Sequence, residues 1–126
     1  MLFSCLVACF TWIQEPEKPT QAHLGSRTVL RWSFESVDDT FLFLLISKNN
    51  SLYGEPKQRE IVTKLANGTI YIYDEFKDRA ELLNQTTLVL TGIQNDDDGN
   101  YCCQAFFLQG MYTSCVDLLV LGIVTQ

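Results

Sequence analysis

Apolar and polar residues alternate with period two in several short blocks along the chain, and no block carries a convincing helical period. Residues 27–34, RTVLRWSF, put Leu30, Trp32 and Phe34 on one face and Arg31 and Ser33 on the other. That pattern predicts a half-buried strand with its large side chains inward. Residues 41–46, FLFLLI, are apolar on both faces and too few for a typical helix. They predict a strand that is covered, or wants cover, on both sides. Residues 59–65 and 69–73 flank Asn67-Gly68, the signal of a type I′ hairpin. Residues 86–90, 101–107 and 112–121 complete the set. Turn chemistry falls between the blocks at Asp38-Asp39, Gly54-Glu55-Pro56, Asp96-Asp97-Asp98-Gly99 and Gln109-Gly110. Short strands at this spacing predict an all-β sandwich or barrel.

Composition narrows the function classes. The chain has 126 residues, room for one domain, and is 47% hydrophobic and 19% charged, as an ordered globular protein is. A formal charge of −6 with no Lys/Arg cluster argues against nucleic acid and anionic membrane as partners. A single histidine, His23, removes most His-based catalysis and multi-His metal sites, and beside Leu24-Gly25 it reads as a surface residue. The five cysteines form no CxxC pair, so zinc-ribbon geometry is absent. The triple Asp96-Asp97-Asp98 suggests calcium, yet it lacks the EF-hand spacing and reads better as a solvated turn. A thiol nucleophile at Cys102 or Cys103 would need a base and an electropositive setting, and this neighbourhood is acidic. The expectation is a non-enzymatic domain without cofactor, metal or small-molecule substrate.

Three N-x-S/T sequons, at Asn49, Asn67 and Asn84, together favour the secretory pathway. The amino terminus, MLFSCLVACF, is apolar but lacks a basic start. Residues 1–11 therefore read either as the remnant of a signal peptide or as an N-terminal strand; Leu6-Val7-Ala8-Cys9 also fits a lipoprotein signal locally. No stretch approaches the ~18 apolar residues that span a bilayer. Any membrane anchor is expected downstream, with residues 123–126 beginning a linker.

The segment 88–103, LVLTGIQNDDDGNYCC, sets Leu88, Leu90, Ile93, Asp97, Gly99, Tyr101 and Cys103 in one order. It resembles the E–F region of the immunoglobulin superfamily: L-x-L, an apolar residue three later, then D-x-G-x-Y-x-C. The resemblance covers residues 12–122. It implies an immunoglobulin-like β-sandwich of two antiparallel sheets with Greek-key connections. Ile13-Gln14-Glu15-Pro16 through Leu24-Gly25 resembles strands A and A′. The distance from Trp32 to Cys103 leaves room for C′ and C″ strands, which favours the variable-type (V-set) form. By the same resemblance Tyr101 makes the family's tyrosine corner, and Asp97 pairs with a basic residue on strand D, for which Arg79 is the candidate. Gly99 permits the tight backbone at the start of strand F.

The departures are as informative. Trp32 stands where the family has its strand B cysteine, so Cys103 has no partner there, and TFLFLLISK lacks the usual strand C tryptophan. One large indole fills the volume of both. An LxWxF strand B is similar to that of some invertebrate surface proteins, the hydroid allorecognition family among them.

With Tyr101, Cys103 and Ala105 facing inward, Cys102, Gln104 and Phe106 face outward. Strand C offers either Phe41, Phe43 and Leu45 or Leu42, Leu44 and Ile46 to that outer face. The F–G turn adds Phe107, Leu108, Met111 and Tyr112. The interface expected from this is Phe106, Gln104, Phe107, Leu108, Met111, Tyr112, Phe43 and Leu44, since exposed apolar patches mark interaction sites. Variable-type domains of the family pair through this sheet. In strand G, Asp117 avoids the core, so Val116, Leu118 and Val120 point in and Cys115 shares the outer face with Cys102. A turn near Leu108-Gln109 sets the two opposite each other, where a small adjustment closes a disulfide. Cys103 then stays a buried thiol. A one-residue shift would instead set Cys103 against Cys115, but on opposite faces. The function expected is an extracellular, plasma-membrane recognition or adhesion domain that binds itself or another immunoglobulin-like protein through the G-F-C-C′ sheet, including in self/non-self recognition. The alternative is a secreted or virus-borne decoy for a heterologous protein.

Overall fold

The computed structural model of the protein describes residues 10–37, 40–50, 57–84 and 86–122. The apolar run up to Cys9, the turns at Asp38-Asp39 and Gly54-Glu55-Pro56, and the linker at 123–126 lie outside the described residues.

Eleven strands are found among the described residues: β1 (Phe10–Gln14), β2 (Thr20–His23), β3 (Thr28–Arg31), β4 (Ser33–Ser36), β5 (Phe41–Asn50), β6 (Lys57–Leu65), β7 (Ile70–Ile72), β8 (Ala80–Leu83), β9 (Thr87–Leu90), β10 (Gly99–Phe107) and β11 (Gly110–Leu121). The larger sheet runs β2-β11-β10-β5-β6-β7, and β3-β9-β8 forms a second sheet of three strands. A further pair, β1-β4, continues from the second sheet, because β4 prolongs the strand begun by β3. This order matches the G-F-C-C′-C″ and B-E-D sheets of a V-type immunoglobulin-like sandwich. The larger sheet is not wholly antiparallel, since β2 pairs with β11 in parallel.

The expected strand at 27–34 is interrupted at Trp32 rather than continuous. The Trp32 N–H reaches Thr86 O at 3.4 Å, and the Trp32 carbonyl accepts the Thr86 hydroxyl. The indole itself is 1% exposed and sits in the core with Leu30, Ile46, Leu88, Tyr101 and Cys103. A buried indole needs a partner for its N–H. Nε1 donates to Ser114 Oγ at 3.1 Å, and the Ser114 hydroxyl donates to Glu15 Oε1 at 2.6 Å. The Lys18 ammonium lies 3.0 Å from the same Glu15 oxygen. This chain joins β4's entrance, β11 and the β1–β2 connection. Cys103 is fully buried with a free thiol, whose pKa burial pushes well up.

The corner expected at Tyr101 is present. Its hydroxyl donates to the Asp97 carbonyl at 2.6 Å. Arg79 grips the Asp97 carboxylate with both terminal nitrogens, at 3.1 and 2.5 Å. Its remaining donors go to Thr91 O at 3.3 Å and Gly92 O at 3.2 Å. Asp97 Oδ2 also accepts from Gln94 N–H at 2.7 Å. Both oxygens of the central aspartate are therefore occupied by protein donors, and the acidic triplet serves as a braced turn. Gly99 has a reason the sequence did not supply: a Cβ there would lie 2.9 Å from Lys48 Cε. Lys48 is 1% exposed, with its ammonium donating to the Asp96 carbonyl and lying 5.8 Å from the Tyr101 ring centre. Burial lowers the Lys48 pKa, against the opposing pull of the Asp97 charge.

The hairpin at Asn67-Gly68 forms, but not with a type I′ turn. Gly68 has φ +94° while Asn67 keeps a negative φ, and Gly68 N–H bonds Leu65 O at 2.9 Å. Three residues, 66–68, make the loop, a type I turn closed by a glycine in the left-handed region.

Candidate functional site

The F–G hairpin positions the outer face. Its two-residue turn, Leu108-Gln109, joins Phe107 to Gly110, and the register sets Cys102 opposite Cys115. The two are joined by a disulfide with Cα atoms 4.0 Å apart. Face alternation thus led to the right pair.

Register then assigns the outer face row by row, since directly opposed residues share a face. Nearest the F–G turn, Met111, Phe106, Phe43 and Leu65 stand opposite one another across β11, β10, β5 and β6. The Phe43 and Phe106 rings stack at 4.3 Å, and each is half-buried; Met111 is 47% exposed and Leu65 42%. The next row is Thr113, Gln104, Leu45, Thr63 and, on β7, Tyr71. Gln104 Nε2 lies 3.2 Å from Met111 Sδ, tying the two rows. Cys115, Cys102, Ser47 and Glu60 form the third row, then Asp117, Asn100, Asn49 and Gln58 the fourth. The face therefore grades from apolar at the loop end to polar at the other end. In the polar row Asn100 Nδ2 donates to Asp117 Oδ1 at 2.9 Å, and Asn49 Nδ2 contacts Asn100 Oδ1 and Cys102 Sγ, each at 3.4 Å.

Several expected interface residues are placed elsewhere. Leu44 is 1% exposed and belongs to the core with Ile46. Strand C takes neither of the two single faces expected of it: Phe43 and Leu45 face out, whereas the register slips at Leu42, between the pairs Phe106–Phe43 and Phe107–Phe41. That bulge turns Phe41 inward beside Phe107. A second slip leaves Ile61 unpaired between Val62 and Glu60, so that Ile61 and Val62 are both buried.

Phe107 is likewise buried rather than exposed, with Phe10, Phe34, Phe41 and Tyr112 around it at 5.5–6.2 Å. Tyr112, opposite the inward Ala105, stacks flat on Phe10 at 4.2 Å and joins this inner cluster at the loop end. Phe106, Gln104, Met111 and Phe43 remain on the outer face, and Leu108 stands 70% exposed at the turn.

Two turns at this end, β10–β11 and β6–β7, are tied to the start of β5. Leu108 N–H bonds Thr40 O at 3.1 Å, and Ala66 N–H bonds Leu42 O at 3.0 Å. The apolar row and these turns thus lie together at one hydrogen-bonded corner. His23 lies exposed at the end of β2. Among the described residues no group of three His, Cys, Asp or Glu is arranged to hold a metal ion.

No protein-family model matches the sequence, and no curated protein matches it. Among solved structures, the fold is similar to the two tandem V-type regions of VCBP3, a v-region-containing chitin binding protein. The TM-score is 0.72 at 14% identity, covering 88% of this chain and 45% of that one, so the chain spans less than half of that structure. The chain is an all-β, V-type immunoglobulin-like sandwich.

Proposed function

We propose that this domain is an extracellular recognition or adhesion module that docks the outer face of its larger sheet onto another immunoglobulin-like domain, with a second copy of itself as the first candidate. The observation that carries the reading is the row Met111–Phe106–Phe43–Leu65, apolar across four strands, with its ends exposed and its stacked Phe pair half-buried. Aromatic and Met side chains of this kind are enriched at interface cores. The Cys102–Cys115 disulfide and the three sequons are features of secreted chains and fit an ectodomain carried on a membrane anchor downstream of residue 126. A role in self/non-self recognition, as in the hydroid allorecognition proteins, rests on the LxWxF pattern of strand B. A fold hosts many ligands, so the chitin-binding activity in the neighbour's name is not carried over.

Beads displaying the domain test the reading. Wild-type beads are expected to aggregate with one another, and Phe106→Asp beads to stay dispersed. Dispersed wild-type beads that capture a heterologous protein of a different fold through Phe106 would favour the decoy alternative.

A further inference from the structure

The three sequons sit in unlike settings. The Asn49 amide is half-buried, and its nitrogen is engaged with Asn100 and Cys102 in the polar row. Asn84 is exposed at φ +54° between β8 and β9, on the smaller sheet, and the sequon's Thr86 is buried with its hydroxyl given to the Trp32 carbonyl. Asn67 differs from both. It is exposed at the tip of the β6–β7 hairpin, and its Oδ1 accepts from Thr69 N–H at 2.9 Å. Holding the oxygen against the turn directs Nδ2 away from it. Leu65, whose N–H bonds Thr69 O at 2.8 Å to close the same turn, is the last member of the apolar row, and Tyr71 ends the next.

From this placement we infer that Asn67 is an N-glycan acceptor whose sugar bounds the docking face, covering Leu65 and Tyr71 and confining a partner to β5, β10 and β11. The inference rests on the proposed docking function. The donor is a lipid diphosphate-linked oligosaccharide: Asn67 Nδ2 bonds the anomeric carbon as the bond from that carbon to the diphosphate oxygen breaks, and the amide proton leaves with the diphosphate. An oligosaccharide is far wider than the strand spacing of about 4.8 Å, so one attached at the tip reaches over the neighbouring strand ends. The same modification at Asn84 lies on the smaller sheet and leaves the outer face open.

Protein secreted from a eukaryotic host, mapped by peptide mass spectrometry, is expected to carry glycan at Asn67. Sedimentation of Asn67→Gln and Thr69→Ala is expected to show self-association several-fold tighter than wild type, with Asn84→Gln unchanged. Thr69→Ala destroys the sequon while keeping the bond to Asn67 Oδ1, which guards against a turn defect. An unmodified Asn67 overturns the inference. So does unchanged association in both variants while Phe106→Asp still abolishes it, which leaves the docking reading standing. No association in any form, glycosylated or not, overturns the inference together with self-docking.

Discussion

Trp32 leads the largest fully buried side chains, and its environment predicts the cost of losing it. Emptying a buried aromatic site costs about 3–5 kcal/mol, out of a total stability of roughly 5–15 kcal/mol for a domain. Trp32→Ala is therefore expected to abolish soluble expression or to show that loss in denaturant titration. Trp32→Phe keeps most of the ring volume but strands Ser114 without its indole donor; a smaller loss separates the packing contribution from the hydrogen bond. Further along the same chain, Glu15 is held below its ordinary value by the Ser114 hydroxyl, then by Lys18. A carboxylate depressed in the folded state adds stability above its unfolded value of 4.5, and that stability is lost as pH falls toward the folded value. Glu15→Gln should flatten the decline in melting temperature below pH 4.5, where the wild type keeps falling. Burial raises the Cys103 pKa, so its thiol should resist alkylation in the native protein at neutral pH and react only on unfolding. The Arg79–Asp97 pair, with Asp97 3% exposed, is of the kind whose breaking costs about 3–5 kcal/mol. Arg79→Ala tests it by denaturant titration.

At the scale of elements, the chain's own pattern foretold most of the strands and the right disulfide, because both follow from local alternation. Tyr101, Cys102 and Cys103 take successive faces of one strand, and the F–G turn is short enough to fix the register of its partner. The inward turn of Phe41 was not legible, nor was the double burial of Ile61 and Val62. Each depends on a bulge, and a bulge is settled by the partner strand's register rather than by the residues that carry it. Leu44 and Phe43 looked interchangeable in an all-apolar run for the same reason. The close approach of Lys48 to Gly99 was equally hidden, since it comes from a strand far away in sequence. The faces can be checked by charge insertion: Leu44→Asp is expected to prevent folding, whereas Phe43→Asp leaves the circular dichroism and melting profile nearly unchanged. Replacing Cys102 and Cys115 together by alanine should cost up to about 3 kcal/mol in the chain-entropy picture, with the F–G hairpin still paired.

For the whole molecule, the outer face and the net charge act in opposite senses. Each copy carries −6, so two copies repel while their apolar rows attract. Raising salt screens the repulsion and leaves apolar burial intact. Self-association should therefore strengthen between low and moderate ionic strength, the reverse of a complex held by salt bridges. Grading of the face from apolar to polar further places contact near the F–G turn and away from the Asn49 row. The direct test is sedimentation velocity over a wide concentration range on the wild type and Phe106→Asp, with matched thermal melts. A reversible shift of the wild type toward dimer, absent in the equally stable variant, is the expected result. A wild type that stays monomeric at every concentration, or a variant that associates just as strongly, would contradict self-docking through this face.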